Sequence, residues 1–238
     1  MKLSDRGLFA LALHEGIVPG PYKDSVGVWT YGIGHTKAAG DPDPIEMPRG
    51  MPDDVDFAVK DAVELFRNDV AKYEADVNGA VNVTMAQHEF DALVSFHYNT
   101  GGIRRATLTK KLNAGDREGA ADAFMGWSKP DEIIPRRKEE QKLFRDGSYP
   151  AGKAIVWGCN ENGAVLWKPQ RAYAMSELLA LLRPPEPMPD PGDNVGNTDA
   201  IHEPFPEPGK PMSGTRFAAL LTALGAALAG GYHFFFGG

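Results

Sequence analysis

The segment 14–36 constrains the fold most, because a helix must end inside it and a glycine-rich stretch follows at once. Apolar residues at helical spacing lead up to Glu15 and place it on the apolar face of that helix. Ser4 predicts the N-cap of the helix, and Gly16 predicts its end. Residues 20–36 contain four glycines and predict short strands joined by tight turns. The sequence therefore predicts an α+β protein in which Glu15 lies where the first helix meets a small sheet.

The polar groups of this segment favour chemistry on a ligand. The carboxyl group of Glu15, at the edge of an apolar helix face, is expected to be partly desolvated, which favours the protonated form. A general acid needs that proton. Period-two alternation puts Thr30, Gly32 and Gly34 on one strand face, which is nearly free of side chains. Such a face predicts that a ligand can approach the backbone closely.

The spacing Glu-x8-Asp-x5-Thr is formed by Glu15, Asp24 and Thr30, and it ends in Trp-Thr-Tyr-Gly-Ile-Gly-His-Thr. This stretch resembles the active-site segment of the phage-type lysozymes, glycoside hydrolase family 24. Weaker motifs within 93–149 extend the resemblance over about residues 3–149. The resemblance implies a two-lobed lysozyme-like fold, with a small β-hairpin lobe and a larger helical lobe. It also implies hydrolysis of the MurNAc-β-1,4-GlcNAc bond of peptidoglycan.

Glycoside hydrolysis needs a proton donor and a second group that manages the oxocarbenium-like centre. The resemblance assigns the acid to Glu15. Asp24 is either a base that positions water or a nucleophile, and the resemblance favours the first role, with inversion. Thr30 would orient the water. Asn99, Gly32 and Gly34 are assigned to substrate contact, and the lack of a clustered His/Cys/Asp pattern predicts no metal or cofactor.

Further side chains are expected to support the site. By the resemblance, His35 and Asp69 form a structural ion pair. Arg137 matches an arginine that pairs with the catalytic glutamate in the family, and its neighbour Arg136 is the alternative. All three supporting roles, those of His35, Asp69 and Arg137, compete with the simpler interpretation that these are ordinary charged side chains.

Helix signals follow along the chain. One helix is predicted from Pro52-Asp53-Asp54 to about Val77, and Thr84 to Gln87 is interpreted as a capping box that opens the central core helix. Asp116 predicts the N-cap of a later short helix, and Pro135 predicts the start of another. Cys159 is the only cysteine in the sequence, which excludes an intramolecular disulfide and fits folding in a reducing cytosol.

The sequence predicts four parts: a catalytic domain (1–149), an appended β-hairpin and helix (150–182), a Pro-rich disordered linker (183–214) and a hydrophobic helix (215–238). Trp157 and Trp167 in the hairpin could contact sugar, although packing on the protein body is the favoured interpretation.

Residues 217–236 carry no Asp, Glu, Lys or Arg, and this length fits one transmembrane helix. Lys210 and Arg216 precede it, so the positive-inside rule places the enzyme at the cytoplasmic face of the host inner membrane. Its substrate, periplasmic peptidoglycan, would be reached after a breach, for example by a separate holin-like pore former.

Two other functions remain open at this stage. A lytic transglycosylase would also use a glutamate but would not need Asp24 and Thr30. A non-catalytic peptidoglycan-binding virion module would need none of the three residues. Nucleic acid is not an expected partner, because the net charge is −7 and no basic run is interleaved with aromatic residues.

Overall fold

The computed structural model of the protein describes residues 1–182. The predicted linker (183–214) and the predicted transmembrane helix (217–236) lie outside the described residues. Within residues 1–182, no helix combines the length and the apolar character that a membrane crossing requires.

The first helix, α1 (Asp5–Glu15), forms as the sequence predicts. The Ser4 hydroxyl accepts a hydrogen bond from the Gly7 N–H at 3.0 Å, which satisfies one of the free donors of the first turn. Gly16 ends the helix with φ of 72°, a conformation that glycine adopts without strain. Leu8 and Leu11 on the buried face are almost fully excluded from solvent, so α1 is fixed in the core up to Glu15.

A small antiparallel sheet follows α1 directly. It consists of β1 (Val18–Lys23), β2 (Trp29–Gly32) and β3 (His35–Thr36), in that order. Thr30 lies opposite Tyr22 on one side and opposite Thr36 on the other. The predicted glycine-rich strands are therefore present.

The remaining helices form the larger part of the described chain, and their bounds are α2 (Val55–Asp69), α3 (Ala71–Ala80), α4 (Gln87–Thr100), α5 (Thr107–Asn113), α6 (Arg117–Ala123), α7 (Ile134–Asp146) and α8 (Met175–Leu181). Helix α4 is central, as predicted, because every residue from Glu89 to His97 is buried, so all sides of the helix are covered. The fold is thus helix-rich with small sheets, as the α+β prediction required.

The prediction of one helix from 52 to 77 is wrong, because the helix is interrupted at Val70, between α2 and α3. The Val70 N–H bonds to the Phe66 carbonyl at 3.0 Å, and the Val70 carbonyl accepts both from Glu74 at 3.0 Å and from Tyr73 at 2.9 Å, the second bond closing a tighter 3-10-like turn. Val70 is fully buried at this interruption. The apolar spacing continues through both helices, so it does not reveal the interruption.

The predicted capping box at Thr84–Gln87 is also displaced. Ala86 occupies the N-cap position of α4, and its N–H donates to Glu89 Oε2 at 2.7 Å. Arg117 Nε donates to the other oxygen of Glu89 at 2.9 Å. The carboxylate held by Arg117, and not a Thr84 hydroxyl, therefore sets where the helix begins.

The appended hairpin is present as β4 (Ala154–Cys159) and β5 (Val165–Tyr173). Strand β5 continues to Tyr173, and the predicted helix after the hairpin is α8, which begins at Met175. The hairpin joins the first sheet at Ile17: the Ile17 N–H donates to the Ile155 carbonyl at 3.0 Å, and the Trp157 N–H donates to the Ile17 carbonyl at 2.8 Å.

Gly32 does not present an open surface to a ligand, which corrects the prediction that assigned it to substrate contact. A Cβ atom on Gly32 would lie 2.8 Å from the Ala62 Cβ of α2, closer than real contacts allow. Gly32 also has φ of 63°, in the left-handed region. Its glycine identity therefore allows the sheet to pack against α2.

We expect Gly32→Ala to lower the free energy of unfolding by about 2–4 kcal/mol, because left-handed strain and a steric clash add together. Gly115→Ala is the matched control, since Gly115 has φ of 84° and a Cβ atom added there would meet nothing within 4 Å. The control should lose only about 1–2 kcal/mol. Urea denaturation of both variants measures the difference, and equal losses would contradict a clash with Ala62.

Candidate active site

Glu15 is the last residue of α1, and its side chain is only 8% exposed. Arg136 Nη1 of α7 donates to Glu15 Oε1 at 2.7 Å, and Arg136 Nε donates to Glu140 Oε1 at 3.0 Å. Burial lowers the pKa of Arg136, but the charges of Glu15 and Glu140 outweigh it and raise that pKa above the usual value. Arg136 therefore stays charged and fixes the Glu15 carboxylate at the helix end.

Arg137, which the sequence interpretation favoured as the partner of Glu15, contacts Glu140 and Asn99 instead. Successive residues of a helix point about 100° apart, so Arg136 is directed at Glu15 while Arg137 is directed at Asn99, although both arginines reach Glu140. Arg137 is fully buried, and Asn99 accepts its hydrogen bond through Oδ1. The arginine at Glu15 is thus the predicted alternative, and one polar atom of Asn99 is already used inside the protein.

Asp24 and Thr30 are joined through one backbone carbonyl. The Val28 carbonyl accepts from the Asp24 N–H at 3.0 Å and from Thr30 Oγ1 at 3.1 Å. Asp24 Oδ1 in turn accepts from the N–H groups of Val26 and Val28, at 3.0 and 2.8 Å. The loop after β1 therefore holds the carboxylate and the hydroxyl in a fixed relation.

Tyr22 is a site residue that the sequence analysis missed. Burial raises the pKa of its phenol well above the usual value, and the negative charges of Glu15 and Asp24 raise that pKa further. Its ring thus lies within electrostatic reach of both carboxylates. Tyr22 lies near the end of β1, opposite Thr30 in the sheet and two residues before Asp24, and this closeness to Asp24 was a signal available in the sequence.

The structure brings His35 and Asp69 together, with His35 Nδ1 2.8 Å from Asp69 Oδ2. His35 Nε2 lies 2.9 Å from the Pro42 carbonyl oxygen. These contacts tie β3 to α2 and to the following loop. Gly34, with φ of 77°, forms the turn between β2 and β3 and is half-buried.

Within residues 1–182, no three His, Cys, Asp or Glu side chains are arranged to hold a metal ion. The chemistry of the site described above is that of two carboxyl groups, the hydroxyl groups of Thr30 and Tyr22, and an arginine.

The family model described as phage lysozyme matches residues 12–140, which include Glu15, Asp24, Thr30 and Arg136. The chain belongs to the phage lysozyme family. This phage lysozyme is therefore an enzyme, a hydrolase with lysozyme activity. The matched range ends before β4, so the hairpin lies outside the part of the chain that the family model describes.

The comparisons also show similar endolysins. The endolysin of Salmonella phage P22 is 33% identical over 150 residues, which are 60% of this chain and 98% of that protein. The SAR-endolysin of Escherichia phage Mu is 36% identical over 137 residues, 55% of this lysozyme and 73% of that protein. The structure of an endolysin from Escherichia coli O157:H7 phage FAHEc1 has a TM-score of 0.55 at 33% identity, covering 63% of this chain and 97% of that chain.

His14, next to Glu15, makes the stability of this lysozyme depend on pH. Burial, with the positive charges of Arg136 and Arg137, lowers the pKa of His14 from the usual 6.5 to about 3. Because the folded pKa is the lower one, the unfolded chain binds a proton that the folded chain does not. The contribution of neutral His14 to stability is therefore fully present above pH 6.5 and is lost as the pH drops toward 3.

We expect His14→Gln to remove this dependence. Between pH 6.5 and 4.5, the free energy of unfolding of the parent should fall by about 2 kcal/mol more than that of the variant, at about 1.4 kcal/mol per pH unit. Urea denaturation at several pH values measures the difference, which cancels the contribution of the other titrating groups. Parallel stability curves for parent and variant would show that His14 takes up its proton in the folded state.

Proposed function

We propose that this lysozyme is an endolysin that hydrolyses the MurNAc-β-1,4-GlcNAc bond of host peptidoglycan. The observation that carries the proposal is the pairing of a buried Glu15 carboxylate, fixed by Arg136, with a loop that joins Asp24 and Thr30 through the Val28 carbonyl, both within electrostatic reach of Tyr22. Relatives that bear the name endolysin support the biological role, lysis of the host cell.

The chemistry follows from the donors and acceptors at these positions. Protonated Glu15 donates its proton to the leaving glycosidic oxygen as the bond to the anomeric carbon breaks, and Arg136 stabilises the carboxylate that this transfer leaves. The Thr30 hydroxyl directs its own hydrogen to the Val28 carbonyl, so its oxygen is oriented to accept from a water molecule. Asp24 Oδ2 takes the proton of that water as its oxygen attacks the anomeric carbon. Attack from the face opposite the leaving group inverts the configuration.

We expect Glu15→Gln to reduce the release of reducing ends from purified peptidoglycan by about 10²–10⁴-fold, because the amide has no acidic proton to transfer. Glu46→Gln is the control and should retain parental activity, because Glu46 is an exposed carboxylate between the sheet and α2.

Asp24→Ala and Thr30→Ala should lower kcat more than they raise KM, since both residues act on the attacking water.

Mass spectrometry of the digested muropeptides separates the alternatives. A hydrolase yields reducing ends, a lytic transglycosylase yields anhydro-sugars, and a non-catalytic binding module yields no products. Anhydro-sugars, or near-normal turnover of the Asp24 and Thr30 variants, would favour the transglycosylase. A Glu15→Gln variant with more than a tenth of the parental rate would remove Glu15 from its assigned role.

We also propose that residues 217–236 associate the enzyme with the host inner membrane, facing the cytoplasm, until a pore former gives it access to the wall. The support is the sequence of this segment, which has twenty residues without Asp, Glu, Lys or Arg. Relatives from several phages carry the name SAR-endolysin.

Fractionation of expressing cells tests this localisation. We expect the full chain in the membrane fraction and a version that ends at Gly214 in the soluble fraction, with equal activity of both on purified peptidoglycan. If both versions fractionate as soluble proteins and lyse cells equally, residues 217–236 have no membrane role.

A further inference from the structure

The β4–β5 hairpin carries two tryptophans next to the proposed general acid. Its backbone bonds to Ile17, two residues after Glu15, through the Ile155 carbonyl and the Trp157 N–H. The Trp157 indole lies over Gly16, because a Cβ atom on Gly16 would be 2.9 Å from Trp157 Nε1. The residue that follows Glu15 is therefore covered by an aromatic ring of the hairpin.

Trp167 is held against Trp157 but remains open to solvent. The two ring centroids are 5.7 Å apart in an edge-to-face arrangement, and Trp167 is 70% exposed. The favoured sequence interpretation, that both tryptophans pack on the protein body, is therefore wrong for Trp167. A tryptophan with this much exposed apolar area at a defined position is a feature of binding sites.

The backbone of the hairpin is distorted at the same place. Trp157 pairs with Pro169 and Cys159 pairs with Val165, so β5 has four residue steps where β4 has two. Trp167 lies in this bulge with φ of 41°, the one positive φ outside glycine among residues 1–182. A bulky residue adopts such a conformation only where its surroundings impose it, and bulges often re-aim a side chain beside an active site.

We propose that Trp167, supported edge-to-face by Trp157, is an aromatic platform that binds one sugar ring of the glycan strand beyond the bond that is cleaved. The ring in question is an N-acetylated pyranose, whose axial C–H groups make an apolar face that fits the flat face of an exposed indole. This inference rests on the proposed function, because the occupant is taken to be continuous with the strand held at Glu15. Lys168, which is exposed on β5 next to Trp167, suits a carboxylate of an attached peptide.

The platform is placed to strengthen catalysis without touching the reacting atoms. Binding energy from a sugar away from the scissile bond can hold the strand in the productive register at Glu15. Gly16 is the one residue between Glu15 and the backbone position that the hairpin binds, and the Trp157 ring packs on Gly16.

Binding of the full chain to purified peptidoglycan sacculi tests the platform, with Glu15→Gln in every variant so that no hydrolysis occurs. We expect Trp167→Ala to weaken binding roughly three- to tenfold, and Trp167→Phe to restore most of it because a flat ring is kept. Trp167→Leu keeps apolar area without a ring and should bind as weakly as the alanine variant. Leu166→Ala is the matched control, since Leu166 is 48% exposed on the same strand and should leave binding unchanged.

Sacculus binding by Trp167→Ala that equals that of the parent overturns the platform. The same result combined with lost binding to vesicles of anionic phospholipid would assign Trp167 to a membrane surface instead, which also overturns it. The reducing-end assay on the chain with Glu15 intact keeps the two proposals apart. If reducing ends form but binding does not depend on Trp167, the proposed function is supported and the platform is not. If binding depends on Trp167 but no reducing ends form, the platform is supported and the proposed function is not.

Discussion

The ion pair between Arg136 and Glu15 is the interaction on which the site depends. Arg136 is nearly buried, and its guanidinium contacts carboxylates on two helices, Glu15 of α1 and Glu140 of α7, as well as the Ser95 carbonyl of α4 at 3.3 Å. An unpaired charge at such a position costs several kcal/mol, so the three helix segments must stay together for the charge to be satisfied. The same contacts give the Glu15 carboxylate one orientation before any substrate arrives.

On the sheet side, the site is held by hydrogen bonds to the backbone. The loop from Asp24 to Val28 is exposed, with Val26 at 65% and Val28 at 46%, so apolar burial cannot define its shape. The Val28 carbonyl and the Asp24 carboxylate supply the order instead, as is common where short polar side chains bond to nearby backbone. Packing at Gly32 and the contact between His35 and Asp69 then fix the sheet to α2.

The sequence predicted features that depend on local chemistry and missed those that depend on how one element is oriented against another. Gly16 ends α1 as predicted, because a positive φ favours glycine at a helix end. The choice between Arg136 and Arg137 depends on the rotation of α7 about its axis, which no local signal sets. Gly32 was assigned to a ligand because close approach by a ligand and close approach by a helix require the same residue.

The hairpin lies beyond the range of the family model, yet it is built into the protein core. Val156 is fully buried, and Tyr173 and Leu178 are almost so, which means that the hairpin and α8 contribute to the same apolar interior as α1. Its position relative to Glu15 is therefore set by core packing and by the two hydrogen bonds to Ile17. A surface held in this way can orient a long polymer, because binding energy helps catalysis only when the binding group and the catalytic group keep a constant distance.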